Sequence, residues 1–262
     1  MFTESNGYED FMGRWSRQLA RLYVAFAGPR DGDRVLDVGT GTGALASALE
    51  RALPASDIVG IDPSAGFIEF ARRSATSPRS RFELGDAQAL QFADSSFDQT
   101  MSLLVINFIA DHVKAIGEMR RVTRPGGLVS ACVWDYDAGM QMLRIFWDEV
   151  VALDPAMASR DERNMKLTLE RQLRGLWTQA GFDAVSEQPL SIEQTFASFD
   201  DYWAPFLAGV GPAGAYVAAL GGDKRRELEA RLRKRLLGAR SDGGFVLTAR
   251  AWCVRGRVPG GA

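Results

Sequence analysis

Apolar and polar residues in the first half of the chain follow an order that predicts strands, each followed by a helix. The apolar run 34–36 leads through a glycine-rich turn into an Ala- and Leu-rich stretch at 45–53. Residues 57–62 predict a second strand that ends in an acid. Residues 63–73 predict the next helix, because a proline opens it and apolar residues follow at helical spacing. This alternation predicts an α/β fold with a mostly parallel sheet.

The remaining elements follow from the two-residue spacing of strands and the three- to four-residue spacing of helices. Five more strands are predicted, at 81–87, 100–106, 128–134, 188–196 and 244–254. Helical spacing marks three segments, at 135–165, 172–180 and 199–238, and glycines interrupt the last of them. The second half of the chain therefore carries helices beyond those that a simple strand–helix repeat needs.

The glycine-rich turn is the strongest chemical signal. Gly39, Gly41 and Ala44 satisfy the dinucleotide fingerprint G-x-G-x-x-G/A, so their spacing alone leaves the cofactor open. Asp37 ends the preceding strand, two residues before the first glycine. A carboxylate at this point suits a ligand with a positive group and fits poorly beside a pyrophosphate. A plain strand-to-helix turn without a ligand is the remaining alternative.

With Gly43, the turn reads D-x-G-x-G-x-G, which resembles motif I of the class I S-adenosylmethionine-dependent methyltransferases. Further similarities follow in order: the acid Asp62, the pair Asp86-Ala87, a strand that begins after Asp98, and the helix and turn at 118–127. The last segment is similar to the ubiquinone-biosynthesis-like (type 11) group. Together these similarities span residues 35 to 134.

The resemblance implies a Rossmann-like sheet of seven strands, mostly parallel, with helices on both faces and helical cap insertions. It also implies an antiparallel last strand that inserts between strands five and six. We expect an N-terminal helical lid at 1–28, a cofactor-binding core at 29–135, a helical insertion at 136–170, and the rest of the core at 171–262 with a cap near 199–240.

The resemblance further implies S-adenosyl-L-methionine as cofactor and S-adenosyl-L-homocysteine as product. In the family the acid at Asp62 accepts the ribose hydroxyls, Asp86 holds the adenine amino group, and Ala87 offers its backbone N–H. Arg14 either binds the methionine carboxylate or lies on a solvated helix face. The predicted cofactor-binding residues are Asp37, Gly39, Thr40, Gly41, Gly43, Asp62, Pro63, Asp86, Ala87, Leu103, Arg14 and Tyr8.

The acceptor site is less defined. Seven residues are candidates for the wall of the acceptor pocket, with packing in the core as the alternative for each. They are Met12, Trp15, Asn107, Trp134, Tyr136, Trp203 and Phe206. Many relatives carry a histidine where this chain has Asn107 and Phe108, so no general base is assigned. His112, Asp135 and Asp137 are the candidates for that role.

Composition limits the binding partners and the cellular compartment that we expect for this chain. The chain has 262 residues, 46% of them hydrophobic, which is enough for one α/β core. Its net charge of −2 does not indicate a nucleic-acid-binding protein. Its start resembles no secretory signal, and its longest apolar stretch, 101–110, is too short to span a membrane. No metal pattern is present. We expect Cys132 and Cys253 to be buried thiols in a cytoplasmic protein.

The leading hypothesis is a methyltransferase whose small-molecule acceptor attacks the methyl group directly and in line, with the enzyme a monomer or homodimer. Two alternatives stay open. One is a cofactor-binding protein of the same fold without catalysis. The other is an NAD-dependent oxidoreductase, which needs a pyrophosphate over Gly41 and a catalytic Tyr-Lys or Cys-His set.

Overall fold

The computed structural model describes Gly7 and residues 9–260. Within these residues seven strands form one sheet in the order β3-β2-β1-β4-β5-β7-β6. The strands are β1 (Arg34–Val38), β2 (Asp57–Asp62), β3 (Ser80–Leu84), β4 (Phe97–Leu103), β5 (Thr123–Trp134), β6 (Asp183–Phe196) and β7 (Phe245–Arg257).

The first five strands of the sheet are parallel and the last strand is reversed. β1 pairs in parallel with β2 and β4, and β4 with β5. β7 runs antiparallel to both β5 and β6 and lies between them, which confirms the predicted position of the last strand. The carboxyl ends of β1, β2, β4 and β5 therefore meet at one edge, where ligands bind in open α/β sheets.

Helices cover both faces of the sheet, as predicted. They are α1 (Arg14–Ala27), α2 (Ala44–Ala52), α3 (Ala65–Ser74), α4 (His112–Val122), α5 (Gln141–Leu153), α6 (Gln172–Gln179), α7 (Phe199–Leu207), α8 (Gly211–Ala219) and α9 (Gly222–Leu237). One hydrophobic core joins α1, α2, α5 and the helices α7–α9 to one face, and a second core joins α4 and α6 to the other. No helix in the described part of the chain has both the length and the apolar character that a bilayer crossing needs.

Several predicted boundaries shift. β6 begins at residue 183 instead of 188. The predicted helical stretch 135–165 contains α5 and then two short 3₁₀ turns, Pro155–Arg160 and Glu162–Asn164. The stretch 199–238 divides into three helices, because glycine-containing turns interrupt it.

The two cysteines are joined, where buried thiols were expected. Cys132 on β5 lies directly opposite Cys253 on β7, and the two form a disulfide. Both residues are fully buried, as expected. The reason for the difference is register: the inserted last strand places the two side chains face to face on neighbouring strands.

Candidate functional site

A cavity of about 580 Å³ opens at the carboxyl edge of the sheet. Its walls come from the glycine turn, from the ends of β2 and β3, from residues 103–105 and 108–110 after β4, and from Trp134 and Tyr136 at the end of β5. Met12 and Ser16 cover it from the N-terminal side. We call the part formed by residues 103–105 and 108–110, Trp134 and Tyr136 the acceptor end, and the part formed by the turn and the ends of β2 and β3 the cofactor end.

Carboxylates fix the glycine turn. The Thr40 hydroxyl donates to Asp37 at 2.7 Å, and the Gly41 N–H donates to Asp62 at 3.0 Å. The hydroxyl of the next residue, Thr42, donates to the carboxylate of Glu9. Each of three successive turn residues is thus held by a different acid.

The main-chain N–H groups of the turn are largely used within the protein. Those of Gly39 and Thr40 both donate to the carbonyl of Ile61 on β2, at 2.9 and 2.8 Å. The Gly43 N–H donates to the Thr40 carbonyl at 2.9 Å. With the Gly41 N–H bound to a carboxylate, four donors of the turn have protein partners. A pyrophosphate binds to such turns through free N–H groups, so this turn is not arranged for one.

Asp37 lies beneath the turn and is fully buried. Burial raises the pKa of its carboxyl to about 7, and the charge of Asp62 acts in the same direction. The hydrogen bond from Thr40 opposes this rise. The other carboxylate oxygen of Asp37 has no hydrogen-bond partner among the described residues. A buried, unpaired carboxylate oxygen favours a positively charged neighbour.

Asp62 and Asp86 follow neighbouring strands. The two Asp62 oxygens accept the N–H groups of Gly41 and Ser64, and burial raises the pKa of its carboxyl. Asp86 is exposed at the cavity mouth, where the N–H of Gln88 donates to it and lowers its pKa. The two acids therefore mark an inner and an outer point of the cofactor end.

The acceptor end is apolar. Leu104, Phe108, Trp134 and Tyr136 present aliphatic and aromatic groups there. Leu104 holds a left-handed backbone conformation, with φ of 63°, and its N–H donates to the Cys132 carbonyl at 2.7 Å. Such a conformation costs energy in a residue with a side chain and recurs at functional sites.

The structure brings most predicted site residues together. Those that line the cavity are Asp37, Gly39, Thr40, Gly41, Asp62, Pro63, Asp86, Ala87, Leu103, Met12, Trp134 and Tyr136. Gly43 is not among the lining residues and instead caps α2. Tyr8 lies outside the described residues.

Arg14 was predicted either to bind the methionine carboxylate or to lie on a solvated helix face, and in the structure it pairs with an acid of a distant helix. Its guanidinium donates to both carboxylate oxygens of Asp201 on α7, at 2.8 and 3.3 Å, and to the Asp201 carbonyl. It also lies 4.8 Å from the ring centre of Phe196. Arg14 thus joins α1 to the helices above the sheet and does not line the cavity.

Three aromatic pocket candidates belong to the core instead. Trp15 is fully buried beside Phe196. Phe206 stacks on Phe146 at 4.6 Å, and Trp203 packs against Phe206 at 5.9 Å. The physical reason is that these side chains pack against other elements and not the cavity: Trp15 on α1 contacts Phe196 of β6, and α7 places Phe206 against Phe146 of α5.

Asn107 also lies outside the cavity lining. Its side-chain amide contacts the sulfur of Met165 at 3.8 Å. The neighbouring residue Phe108 lines the cavity in its place, because the short 3₁₀ turn Ile106–Phe108 directs successive side chains in different directions.

None of the three candidate bases lines the cavity. Asp135 is buried, pairs with Arg250 at 2.5 Å, and accepts the N–H groups of Asp137 and Ala138. Asp137 itself is exposed. His112 is the first residue of α4, after the N-cap Asp111, whose side chain accepts the Lys114 N–H.

Sequence reasoning did not predict every site residue, and Glu9, Ser16 and Leu104 are examples. Glu9 binds the glycine turn, and Ser16 and Leu104 line the cavity. Glu9 and Ser16 stand before the first motif from which the site was predicted. No local pattern in an apolar strand end distinguishes Leu104 from its neighbours.

Comparison with known proteins points to one family. Residues 36–131 match the family described as the methyltransferase domain. A demethylmenaquinone methyltransferase of Renibacterium salmoninarum is 33% identical over 149 residues, which are 57% of this chain and 61% of that protein. The chain thus spans less than two thirds of that relative's length.

Solved structures share the fold. A putative methyltransferase from an antibiotic biosynthesis pathway of Anabaena variabilis has a TM-score of 0.63 at 18% identity, over 90% of this chain and 96% of that one. Phosphoethanolamine N-methyltransferase 2 of Haemonchus contortus, in complex with S-adenosyl-L-methionine, has a TM-score of 0.58 at 19% identity. This second alignment covers 97% of this chain and 56% of that one.

The family match covers the part of the chain that holds the glycine turn, Asp62 and Asp86. The strand order and the reversed last strand agree with the fold that the motifs predicted. Residues 36–131 therefore match the methyltransferase domain family, which confirms the resemblance drawn from motif I.

Proposed function

We propose that this chain is a methyltransferase that transfers the methyl group of S-adenosylmethionine to a small, uncharged acceptor and releases S-adenosylhomocysteine. The observation that carries the proposal is the glycine turn, whose N–H groups are paired with the protein and whose neighbours are carboxylates. Such a turn suits a cofactor with cationic groups.

The residues around the turn fit S-adenosylmethionine. Asp37 keeps a buried oxygen without a protein partner, which suits the positive charge of this cofactor. A Cβ on Gly41 would meet no atom within 4 Å, so the backbone there leaves room for a ligand. Asp62 stands about 20 residues after the turn, where an acid accepts both ribose hydroxyls. Asp86 and Ala87 lie where the adenine would end.

A nicotinamide dinucleotide fits the same site less well. Its pyrophosphate would lie over Gly41, whose N–H already donates to the Asp62 carboxylate. It would also lie close to the carboxylates of Asp37 and Asp62, and like charges in a buried site repel strongly. These two points favour the adenosyl cofactor over the dinucleotide.

The walls of the acceptor end support an uncharged acceptor with an apolar or aromatic body. Leu104, Phe108 and Trp134 offer it dispersion contacts and flat surfaces. The charged side chains among the described lining residues are three aspartates, all at the cofactor end. Their negative field disfavours an anionic acceptor and favours a neutral one.

When bound, the cofactor supplies a methyl carbon that is activated by the adjacent positive sulfur. A lone pair of the acceptor forms a bond to this carbon while the carbon–sulfur bond breaks. The chain contributes position and a site with little water. Trp134 and Tyr136 form the wall from β5, Leu104 forms the wall from β4, and Met12 and Ser16 form the cover.

The proton of an acceptor hydroxyl, amine or acidic carbon leaves to solvent in this proposal. The candidate bases His112, Asp135 and Asp137 lie away from the cavity wall, and Asp135 is already paired with Arg250. An acceptor that is partly ionised near neutral pH, or that carries a neutral lone pair, fits this arrangement.

Two experiments test the proposal. Titration calorimetry with S-adenosylmethionine, S-adenosylhomocysteine and NADH should give micromolar binding of the first two ligands and none of NADH. Transfer of a labelled methyl group should then be measured with matched pairs of neutral and carboxylated aromatic acceptors, and the neutral members should react faster. Tight binding with no transfer to any acceptor would identify a cofactor-binding protein without catalysis. Binding of NADH alone would reject the proposal.

The same proposal assigns roles to the parts of the chain. Residues 1–28 act as a lid, residues 29–135 hold the cofactor, and residues 136–170 and 199–240 cap the acceptor. The position of Met12 and Ser16 in the cavity wall supports the first assignment. A cytoplasmic location and a monomeric or homodimeric state stay predictions from the sequence.

A further inference from the structure

The glycine turn is held from three sides, and the third support comes from outside the sheet. Acids at the ends of β1 and β2 hold Thr40 and Gly41. The acid that holds Thr42 is Glu9, which stands in the π-helical turn Glu9–Gly13 before α1. The hydrogen-bond set of the cofactor turn is therefore complete only when this N-terminal turn is docked.

The surroundings of Glu9 fit a specific contact. Its side chain is only 18% exposed, and it also pairs with Arg17 on α1. Gly13 leaves the room for this carboxylate, because a Cβ on Gly13 would lie 2.5 Å from a Glu9 oxygen. One carboxylate thus receives a hydroxyl from the cofactor turn and a guanidinium from α1.

The same stretch of chain covers the cavity. Met12 and Ser16 line it, while Phe11 packs edge-to-face against Phe206 of α7, with ring centres 5.3 Å apart. We call residues 9–16 the N-terminal segment. It contacts the cofactor turn through Glu9, the cavity through Met12 and Ser16, and the helical cap through Phe11.

We propose that Glu9 is a positioning residue that closes the N-terminal segment over the cofactor by binding the Thr42 hydroxyl. This inference rests on the proposed function, because it takes the turn as the S-adenosylmethionine site. Thr42 lines the cavity, so the contact joins the cover directly to the wall that touches the cofactor. Cofactor release then requires that Glu9 separate from Thr42, which makes release slow.

Dissociation of S-adenosylhomocysteine, followed by stopped-flow tryptophan fluorescence, tests this role. Glu9→Ala and Thr42→Val should each raise the dissociation rate on the order of tenfold, since each removes a hydrogen bond to a charged group. The double variant should show about the same tenfold rise, because both changes break one contact. Thr42→Ser keeps the hydroxyl and should release the ligand at the wild-type rate.

Two further variants separate the contact from general packing. Gly13→Ala keeps Glu9 and Thr42 but places a Cβ against both the Glu9 carboxylate and the Arg17 guanidinium, so it displaces the carboxylate and should also speed dissociation. Arg17→Met removes the other partner of Glu9 and leaves the Thr42 contact, so the rate should stay within about twofold of the wild type. Hydrogen exchange of residues 9–16 in the ligand-free protein gives a readout that needs no cofactor. Exchange there should be faster in Glu9→Ala and Thr42→Val than in Thr42→Ser.

The outcomes are distinct. An unchanged dissociation rate and unchanged exchange in Glu9→Ala would overturn the role of Glu9 while the proposed function stands. A hundredfold rise in the double variant would mean that the two residues act independently, which also overturns it. Failure of the wild-type protein to bind S-adenosylhomocysteine would instead reject the proposed function, and the role of Glu9 in cofactor release with it.

Discussion

The carboxylate of Asp62 accepts the main-chain N–H of Gly41 at 3.0 Å and so joins the end of β2 to the turn that follows β1. The same carboxylate accepts the Ser64 N–H at 2.9 Å through its other oxygen. Only 7% of Asp62 is exposed, yet it lines the cavity. One acid thus shapes the turn and faces the cavity, so we expect turn geometry and ligand binding to depend on one residue.

Replacement of Asp62 should weaken cofactor binding strongly. Asp62→Ala removes the support of Gly41 and the acceptor for the ribose hydroxyls, so affinity for S-adenosylhomocysteine should fall on the order of 100-fold in calorimetry. Asp57→Ala is the matched control, because Asp57 starts the same strand, is about half exposed and pairs with Arg79. Equal affinities of the two variants would contradict the assignment of Asp62.

Asp37→Asn should change how stability depends on pH. Burial raises the pKa of the Asp37 carboxyl from 3.8 to about 7. Between these values the folded protein holds a proton that the unfolded chain has released. The contribution of Asp37 to stability is therefore fully present below about pH 4 and is lost as the pH rises toward 7. At about 1.4 kcal/mol per pH unit, the loss reaches at most about 4 kcal/mol.

Urea unfolding of the ligand-free wild type and of Asp37→Asn, each at pH 5 and pH 8, measures this effect. Asparagine keeps an acceptor for the Thr40 hydroxyl but does not titrate. Wild type should lose more stability than the variant between the two pH values. Groups that do not interact with Asp37, such as Glu162, titrate alike in both proteins and cancel in the difference, whereas the coupling of Asp37 to Asp62 is part of the measured effect. Parallel pH profiles would show that Asp37 does not titrate in this range.

The sheet and the cofactor acids could be predicted because they depend on local patterns. Asp37 and Asp62 each end an apolar run, and parallel strands bring such ends to one edge. Side-chain partners that are distant in sequence could not be predicted. Arg14 and Asp201 stand 187 positions apart, and nothing near Arg14 indicates that its guanidinium is already bound.

The aromatic residues show a second limit of prediction from the sequence. Trp134 and Trp203 both lie among apolar residues, and the same spacing suits a core and a pocket wall. Trp134 ends a strand at the cavity edge, whereas Trp203 stands on a helix that packs against α5. The difference arises from how the inserted helices dock, which local spacing does not encode.

Arg14 should matter for stability and not for the cofactor. Arg14→Met keeps the length of the side chain but removes the pair with Asp201, so the free energy of unfolding should fall by about 1 kcal/mol. Affinity for S-adenosylhomocysteine should stay within about twofold of the wild type. A double-mutant cycle with Asp201→Asn in urea unfolding should give a coupling energy of similar size. A loss of affinity beyond tenfold would restore Arg14 to the cofactor site.

Gly39 and Gly41 should respond to the same substitution in opposite ways. Both have positive φ, 76° and 54°, so alanine strains either position by about 1 kcal/mol. A Cβ on Gly39 would also lie 2.5 Å from a methyl group of Val105, so Gly39→Ala must displace the loop after β4. That overpacking should cost about 1–3 kcal/mol more.

In Gly41→Ala the added methyl group meets no protein atom. It instead enters the space where we expect the cofactor to contact the backbone of the turn. It should therefore lose only about 1 kcal/mol of stability, from the positive φ, yet bind S-adenosylhomocysteine at least about tenfold more weakly. Urea unfolding and calorimetry on both variants separate the two effects. If Gly41→Ala bound the ligand as the wild type does, the space over this turn would not be the cofactor site. If Gly39→Ala were as stable as Gly41→Ala, Val105 would not hold the turn against β4.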